Sequence, residues 1–575
     1  MRKDLKMFLR KNFNKKTGRT YLQIVHGYRD SQGKSKTKVH QNIGYLDVLE
    51  REYADPIAHF TKLAKQMETE RQETSCINLK FNTDEMIDRS NVNRKNYGHI
   101  VFSKIYHELQ LDRFFNNKQR HEKFQFDSNS IMKVLLFARL LYPCSKKKTV
   151  EIKDRFFDKA DFTLDDVYDS LTHFSKHAKE VQQFIHERIT EQYGRDTSLL
   201  YYDVTNYYFE TDKQDGFRMN GYSKEHRRDP IVQMGLAMDK MGIPLTYQLF
   251  NGNIHDSQTL MPALKNIKKE YGTDRIIVVA DKGLNSGDNI AFNTVLGDGY
   301  VYSQSVRGAS DLLKAYVLDD KDYVQIGDDY KRKSRTVPVE INVSVGNGKK
   351  KKVRLDQKQV VFYSKKYAER AKNQRNEMIA KALDLIQSPS KYRKATAYGA
   401  ASYVNNLEFD RKTGEILETD KKRYLDMDKI LEEEKLDGYY AIVTSELDES
   451  DDRIIEIYRG LWRIEESFKI TKSLLDARPV FVYTQEHINA HFLICFIALV
   501  IARLVEIRLK NKYPITRIID TLRSVACSHL DANHYLFDYV DEITDDLNTE
   551  FNVGFGKKIM TLGEIKRNFG MVKKG

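Results

Sequence analysis

The chain has 575 residues, of which 41% are apolar, 31% charged and 11% aromatic. This composition is typical of a globular protein and excludes a disordered, collagenous or low-complexity chain. Lys and Arg outnumber Asp and Glu by 95 to 82, which gives a net charge of +13, and a large basic chain of this kind often binds a polyanion.

The cysteines and apolar runs point to an intracellular protein. The wide spacing of the cysteines excludes a disulfide scaffold and a CxxC metal site, and fits a reducing cytosol; they are Cys76, Cys144, Cys495 and Cys527. The N-terminus lacks the apolar core of a signal peptide. The apolar run 492–502 is too short to span a bilayer, so we expect a buried helix and no membrane partner.

The N-terminal 50 residues are strongly basic, with 12 Lys and Arg against 4 Asp and Glu. Apolar alternation before and after a polar turn at 29–34 predicts a basic β-hairpin. Such a hairpin could lie on DNA phosphates, or it could be a solvated edge that resists aggregation. The overall charge favours DNA binding by residues 1–50.

Residues 51–195 are predicted to form a mostly helical domain, with an apolar segment at 130–142 that ends at Pro143. Within it, His173 and His177 are spaced i, i+4 on a predicted helix, a spacing that can bind zinc. No third ligand is near in the sequence, and the pattern favours a pair of surface histidines.

From residue 196 the pattern becomes α/β. Short apolar runs at 199–205, 231–238, 245–250 and 276–281 predict strands, and Asp256 is a plausible N-cap for a helix between the last two. This arrangement predicts a mixed sheet with helices on its faces, with the first part of the core at 196–309.

Residues 310–435 interrupt this core with a β-rich insertion. Strict alternation from Val337 to Val345, a Gly-Asn-Gly-Lys turn and a basic return strand predict a hairpin, and 367–386 is helix-like. The strand-like segment 438–444 then rejoins the main sheet. The second part of the core is predicted at 436–512, followed by a helical C-terminal region at 513–575.

Two aspartates come at the ends of buried strands. Asp203 lies in the sequence YYDVT, and Asp281 lies in VVADKG. In α/β sheets, ligands usually bind at strand ends. Taken singly, each carboxylate could instead cap the turn that follows it.

A third carboxylate lies on a predicted helix near 454–475. Spacings of 4, 3, 4, 3, 4 and 3 place seven residues on one face, and five of them are apolar or aromatic: Ile454, Tyr458, Leu461, Glu465, Phe468, Lys472 and Leu475. We therefore expect Glu465 to face inwards and Glu466 to point elsewhere. A carboxylate facing a core binds a metal or forms an ion pair, here with Lys472 or an Arg.

The three carboxylates Asp203, Asp281 and Glu465 form a hard-oxygen set that suits Mg²⁺ or Mn²⁺ better than zinc. Such a set can hold two ions about 3.5–4 Å apart for phosphoryl transfer.

On these motifs the chain resembles DDE transposases of bacterial insertion sequences, in the group with a Tyr-x2-Arg-x3-Glu-x6-Lys motif and a ribonuclease-H-like core. Asp203 and Asp281 match the two Asp positions, and Tyr458, Glu465 and Lys472 match the third motif. The Arg position is occupied by Leu461, so Arg463, or less favourably Arg459, would supply its function.

The resemblance implies cut-and-paste transposition through nicking by water, a hairpin intermediate and strand transfer by a 3′-hydroxyl. Tyr458 and Lys472 would bind phosphates of the DNA end. A flipped base would stack on Tyr302 or on Trp462, although packing within the protein is the favoured role for Trp462.

The partners implied are double-stranded DNA, as the terminal inverted repeats and the target, and a second copy of the chain in the synaptic complex. The expected location is the bacterial cytoplasm, in association with the nucleoid. Two competing hypotheses are a catalytically inactive repressor that binds the element ends and a structure-selective nuclease on the same core.

Overall fold

The computed structural model describes residues 6–29, 35–73, 84, 86, 92–120, 122–222, 229–273, 275–388, 399–409, 415–417, 422–530 and 533–574. It divides into two compact units, Met1–Ile87 and Asp88–Gly575. Most of the predicted turn at 29–34 and Cys76 lie outside the described residues.

The strands are β1 (Met7–Asn14), β2 (Arg19–Arg29), β3 (Ser35–Tyr45), β4 (Arg94–Asn96), β5 (Leu199–Tyr208), β6 (Ile231–Met238), β7 (Pro244–Asn251), β8 (Ile277–Ala280), β9 (Gly299–Gln304), β10 (Val324–Gln325), β11 (Tyr330–Ser344), β12 (Lys350–Ser364), β13 (Val404–Asn405), β14 (Tyr424–Leu425), β15 (Tyr439–Thr444), β16 (Ala526–His529), β17 (His534–Phe537) and β18 (Ile559–Thr561).

The helices are α1 (Leu46–Leu49), α2 (Pro56–Glu73), α3 (Ile100–Glu108), α4 (Leu111–Gln119), α5 (Ser128–Leu141), α6 (Lys146–Glu151), α7 (Leu164–Lys176), α8 (Ala178–Tyr193), α9 (Leu260–Tyr271), α10 (Gly287–Val295), α11 (Asp311–Leu318), α12 (Lys365–Gln387), α13 (Met427–Lys435), α14 (Asp451–Arg459), α15 (Trp462–Lys469), α16 (Gln485–Arg508), α17 (Ile515–Ser524), α18 (Glu542–Phe551) and α19 (Leu562–Val572).

The first unit is a three-stranded antiparallel sheet, β1-β2-β3, with α2 packed against it. Ile24 of the sheet and Ala64 of the helix share one apolar cluster, and Leu22 and Phe60 share another. The sequence pattern indicated β2 and β3 but not β1. Because α2 completes the core, this unit extends beyond the basic segment 1–50.

The second unit is built on a nine-stranded mixed sheet in the order β10-β11-β12-β15-β9-β8-β5-β6-β7. Strands β5, β6 and β7 form an antiparallel meander, and β8 and β9 lie parallel to β5 on its other side. With α9 and α10 as the crossovers, this is the ribonuclease-H-like topology, so the predicted fold class is confirmed.

Residues 310–435, predicted to be a β-rich insertion, contain α11, α12 and α13 as well as strands, and the main strands do not form a sheet of their own. The long hairpin β11–β12 pairs with β15, which pairs with β9, so both strands extend the core sheet. The insertion therefore widens the core laterally.

Helices cover both faces of this sheet. On one face, α9 and α10 enclose a cluster containing Leu200, Val278 and Tyr300. On the other face, α16 is buried along most of its length, and Phe492 packs edge-on against Tyr207 with ring centroids 4.7 Å apart. Helix α16 is long and apolar enough to span a bilayer, yet 94% of its most apolar window is buried inside the protein.

The C-terminal region is not purely helical. Strands β16, β17 and β18 form a four-stranded sheet with β4 from the N-terminal helical region. Neither 51–195 nor 513–575 was predicted to contain these short strands. Their pairing is non-local, so each three- or four-residue segment carries little signal of its own.

One close contact sets the distance between β5 and the helices that cross it. Gly460 follows α14, and a Cβ there would lie 1.9 Å from the hydroxyl oxygen and 2.4 Å from Cζ of Tyr201. Tyr201 is only 2% exposed, so its ring cannot move aside into solvent. The glycine thus allows the chain to pass directly over β5.

We predict that Gly460→Ala destabilises the protein by about 1–3 kcal/mol, the usual cost of overpacking, as measured by urea unfolding. Gly570→Ala is the matched control, because nothing lies within 4 Å of a Cβ there and the residue is inside α19. The control should be neutral or slightly stabilising. Equal unfolding midpoints for Gly460→Ala and wild type would contradict the close contact.

Candidate active site

The parallel ladder between β5 and β8 brings Asp203 and Asp281 to the same level of the sheet. The ladder pairs Tyr201 with Val279, and each aspartate comes two residues later in the chain. Asp281 directly follows β8, as predicted for a strand end, but Asp203 lies within β5, which continues to Tyr208. Neighbouring strands are about 4.8 Å apart. The two predicted carboxylates are therefore neighbours on one face.

Hydrogen bonds orient both carboxylates. Ser303, at the next position across the sheet on β9, donates its hydroxyl to Asp281 Oδ1 at 2.7 Å, and the backbone N–H of Lys282 donates to the same oxygen at 2.7 Å. Asp203 Oδ1 accepts from the backbone N–H of Val204 at 2.7 Å. Ser303 was missed in the sequence, although strand alternation places it on the Asp281 face.

The face of β5 that carries Asp203 also carries the contacts with the crossing helices. Tyr201 lies under Gly460, and the Tyr207 hydroxyl is 2.7 Å from Thr471 Oγ1. Asp203 lies between these two tyrosines on the strand. The segment from 460 to 471, which contains Glu465, therefore passes over Asp203.

The predicted helix at 454–475 consists of three pieces. Helix α14 ends at Arg459, α15 begins at Trp462, and a π-helical turn spans Ile470–Leu474. The seven residues that were predicted to share one helix face divide into a buried set and a set at the solvent border. The buried members lie seven residues apart and pack in the core: Ile454, Leu461, Phe468 and Leu475.

The other three of these seven residues lie at the border between the core and solvent. Glu465 is exposed, whereas Tyr458 and Lys472 are half-buried. The prediction that Glu465 faces the core is wrong, because the core is filled by the buried set. An exposed carboxylate incurs little desolvation cost and is accessible to a ligand.

Tyr458 links Glu465 to the strand carboxylates. Burial, with the nearby carboxylates of Asp281 and Glu465, raises the pKa of Tyr458 to about 12, against the opposing effect of a hydrogen bond with Ser303. The phenol is therefore neutral at physiological pH and can donate a hydrogen bond. This environment brings the third carboxylate to the same region as Asp281.

Glu466, the neighbour of Glu465, has a different role. Its Oε2 lies 2.8 Å from Nη1 of Arg503 on α16, and the same nitrogen is 2.7 Å from Glu506. Glu466 therefore helps to attach α15 to the central helix, whereas Glu465 is exposed.

Basic groups lie at the far end of β5. The ammonium nitrogen of Lys472 is 5.8 Å from the ring centroid of Tyr207, and the guanidinium carbon of Arg478 is 6.0 Å from that of Tyr208. Arg478 was not predicted, because nothing in the sequence indicates that the segment after the π-helical turn returns to β5. Its location adds positive charge at that end of β5.

The two arginines next to Leu461 occupy different environments. The Arg463 side chain packs on Gly242, where a Cβ would be 2.7 Å from Arg463 Cδ, and its guanidinium lies beside the Tyr201 hydroxyl. Arg459 is exposed, with its guanidinium carbon 5.7 Å from the Tyr330 ring centroid. Leu461 is buried, as predicted.

The two aromatic candidates for base stacking differ in exposure from what was expected. Tyr302 is fully buried on the opposite face of the sheet from Asp281, where its hydroxyl accepts a hydrogen bond from Asn293 at 2.6 Å. The prediction that Tyr302 stacks on a base is therefore wrong. Trp462, expected to pack within the protein, is 53% exposed.

Family comparisons match both units. Residues 194–501 match the model of the transposase DDE domain, which is more than half of the chain. Residues 9–78 match the model of the IS1634 family transposase N-terminal domain.

Comparison with solved structures finds weak overall similarity. A piggyBac transposase synaptic complex with hairpin DNA has a TM-score of 0.34 at 6% identity, covering 83% of this chain and 84% of that one. A Mos1 transposase paired-end complex with the left transposon end has a TM-score of 0.14 at 9% identity, covering 42% and 66%. No curated protein matches the chain.

Proposed function

The chain belongs to the DDE transposases, and we propose that it performs cut-and-paste transposition with Asp203, Asp281 and Glu465 as its catalytic carboxylates. The observation that carries the assignment is the parallel register that sets Asp203 beside Asp281, with Tyr458 close to both Asp281 and Glu465. The protein is a DNA transposase and hence an enzyme of DNA cleavage and strand transfer.

DDE transposases use divalent metal ions, and we propose two Mg²⁺ or Mn²⁺ ions here. The donor set fits these hard cations, because it offers carboxylate oxygens only, two from adjacent strands and one from an exposed position on α15. The bound ions would activate the attacking oxygen and stabilise the leaving oxygen in in-line displacement at phosphorus.

The other residues of the site would hold DNA. Tyr458 donates a hydrogen bond to a phosphate oxygen, and Lys472 and Arg478 neutralise the backbone near the end of β5. Ser303 keeps the Asp281 carboxylate oriented throughout. Exposed Trp462 offers the ring on which a flipped base would stack.

The DNA partners proposed are the terminal inverted repeats of the element and the target duplex. A second copy of the chain would join the synaptic complex, so that both ends are held during strand transfer. Nicking by water, hairpin formation and opening, and joining by a 3′-hydroxyl all use the same three carboxylates.

We predict that Asp203→Ala, Asp281→Ala and Glu465→Ala each reduce Mg²⁺-dependent cleavage of a terminal-repeat duplex by roughly 100- to 1,000-fold or more. Each removes one oxygen ligand and leaves the phosphate contacts intact, so end binding in a gel-shift assay should persist. A cleavage-competent protein that cannot join ends would be a nuclease instead.

Glu466→Ala is the matched control for Glu465→Ala. Arg503 still donates to the Arg463 carbonyl at 3.2 Å and to Ser467 Oγ at 2.9 Å when Glu466 is removed, so α15 should stay in place and most activity should remain. Activity lost in Glu466→Ala and kept in Glu465→Ala would overturn the assignment of the third carboxylate.

We also propose that the first unit binds DNA through phosphate charge. Its sheet presents exposed lysines at the turn between β1 and β2 and on its third strand, and residues 1–50 together carry eight excess positive charges. Deleting residues 1–50 would strip α2 of its apolar partners, so charge removal is the cleaner test.

Changing Lys15, Lys16, Lys36 and Lys38 to Gln should make the salt dependence of end binding shallower. For each duplex phosphate that the protein no longer neutralises, the slope of log K against log salt should fall in magnitude by about 0.9. The measurement is fluorescence anisotropy over a salt series. An unchanged slope would leave this sheet as a solvated surface.

For the function of the motif's Arg, we propose Arg459 in place of Arg463. Arg459→Gln should weaken end binding and reduce the salt slope by about 0.9, because an exposed guanidinium can reach a phosphate. Arg463→Gln should instead lower the urea midpoint, since its side chain packs on Gly242 and Tyr201. The opposite pattern would return the role to Arg463.

A further inference from the structure

The helical part of the second unit contains a second group of potential metal ligands. Among the residues that the structure describes, Glu122, His173 and His177 each bring one ligand atom, and these atoms all lie within 4.8 Å of one another. His173 is on α7, and His177 joins α7 to α8. The sequence spacing suggested zinc but supplied no third ligand; the fold supplies Glu122.

The histidine nitrogens in this group lack hydrogen-bond partners. Within the described residues, neither ring nitrogen of His173 nor Nε2 of His177 is hydrogen-bonded, although all are buried. Nδ1 of His173 is 3.6 Å from Glu122 Oε1, too far for a good hydrogen bond. Buried nitrogens without partners are costly unless a ligand satisfies them.

A carboxylate outside the group orients one of the two rings. Nδ1 of His177 is 2.7 Å from Glu180 Oε1, so Nδ1 carries the proton and Nε2 presents its lone pair. The His173 ring is only 5% exposed, so a bound ion rather than solvent would satisfy one of its ring nitrogens.

One cation already lies beside this group. Lys176 Nζ is 2.7 Å from Glu122 Oε1, but the Lys176 side chain is 64% exposed and can turn into solvent. An exposed ion pair of this kind is weak, so a metal ion can displace the ammonium at little cost.

We propose that Glu122, His173 and His177 bind one Zn²⁺ ion, with Glu180 as the outer partner of His177. Two imidazole nitrogens and one carboxylate oxygen form a donor set typical of zinc and unlike the all-oxygen set of the transposition site. The ion would attach the segment before α5 to the junction of α7 and α8, with its fourth tetrahedral position open to water.

The test is a ZnCl₂ titration of the full-length protein against a competing chelator dye, in an Asp203→Ala/Asp281→Ala background that removes the transposition site. The expected result is one Zn²⁺ per chain and a thermal midpoint that rises with zinc. His177→Gln and Glu122→Gln should each weaken binding by at least about tenfold, since loss of even an outer partner costs about 10- to 100-fold.

Lys176→Met serves as the matched control, because it removes a competing cation and leaves the ligands intact. It should bind zinc as tightly as the parent or more tightly. Both ligand variants alter partly exposed side chains, and circular dichroism verifies that they are folded. Equal zinc affinity in the parent, His177→Gln and Glu122→Gln, or no binding by the parent, would overturn the proposal.

Discussion

The parallel register between β5 and β8 is the constraint on which the proposed active site depends. Side chains alternate between the two faces of a strand, so a slip of one residue would turn Asp281 away from Asp203. The register is held by the apolar residues that precede the aspartates. Val279 packs towards the α16 face, and Val278 and Ala280 pack towards α9 and α10. The residues that build the core therefore also align the carboxylates.

A second constraint acts on the helices that cross this sheet. Helix α14 packs across β8, β9 and β12, and Gly460 lets the chain pass closely over Tyr201 before α15 begins. The four apolar residues that lie seven positions apart in this segment fill the core. Tyr458, Glu465 and Lys472 therefore lie at the border between the core and solvent. Asp281 and Glu465 are 184 positions apart in the sequence. They still lie in the same region, because the insertion widens the same sheet and the chain returns through β15.

The sequence predicted those features that are encoded by local periodicity. The alternation from Val337 to Val345 predicted a strand, and the 3–4 spacing predicted that Leu461 is buried. Periodicity does not state which strand pairs with which, so the joining of β11 and β12 to the core sheet could not be foreseen. It also does not locate the border between core and solvent, which is why Glu465 was expected to be buried.

Once the face of one strand residue is known, strand alternation and register assign its neighbours to one face of the sheet or the other. Once Asp281 is known to face α16, alternation and register assign Ser303 to the same face of β9 and Tyr302 to the other. Tyr302 then belongs to the core, whatever its chemical suitability for stacking. Glu122 is different, because it is far from His173 in sequence and only tertiary packing brings the two together.

The two proposed metal sites illustrate how one chain can keep two cations apart. The transposition site offers carboxylate oxygens at a solvent-accessible edge, which suits ions that retain water and exchange. The site at Glu122 offers two imidazole nitrogens, one of them deeply buried, which suits a tightly bound ion that exchanges slowly. Because Mg²⁺ binds imidazole poorly, the abundant catalytic ion does not compete for the histidines. Ligand chemistry and burial together, rather than affinity alone, direct each ion to its own part of the fold.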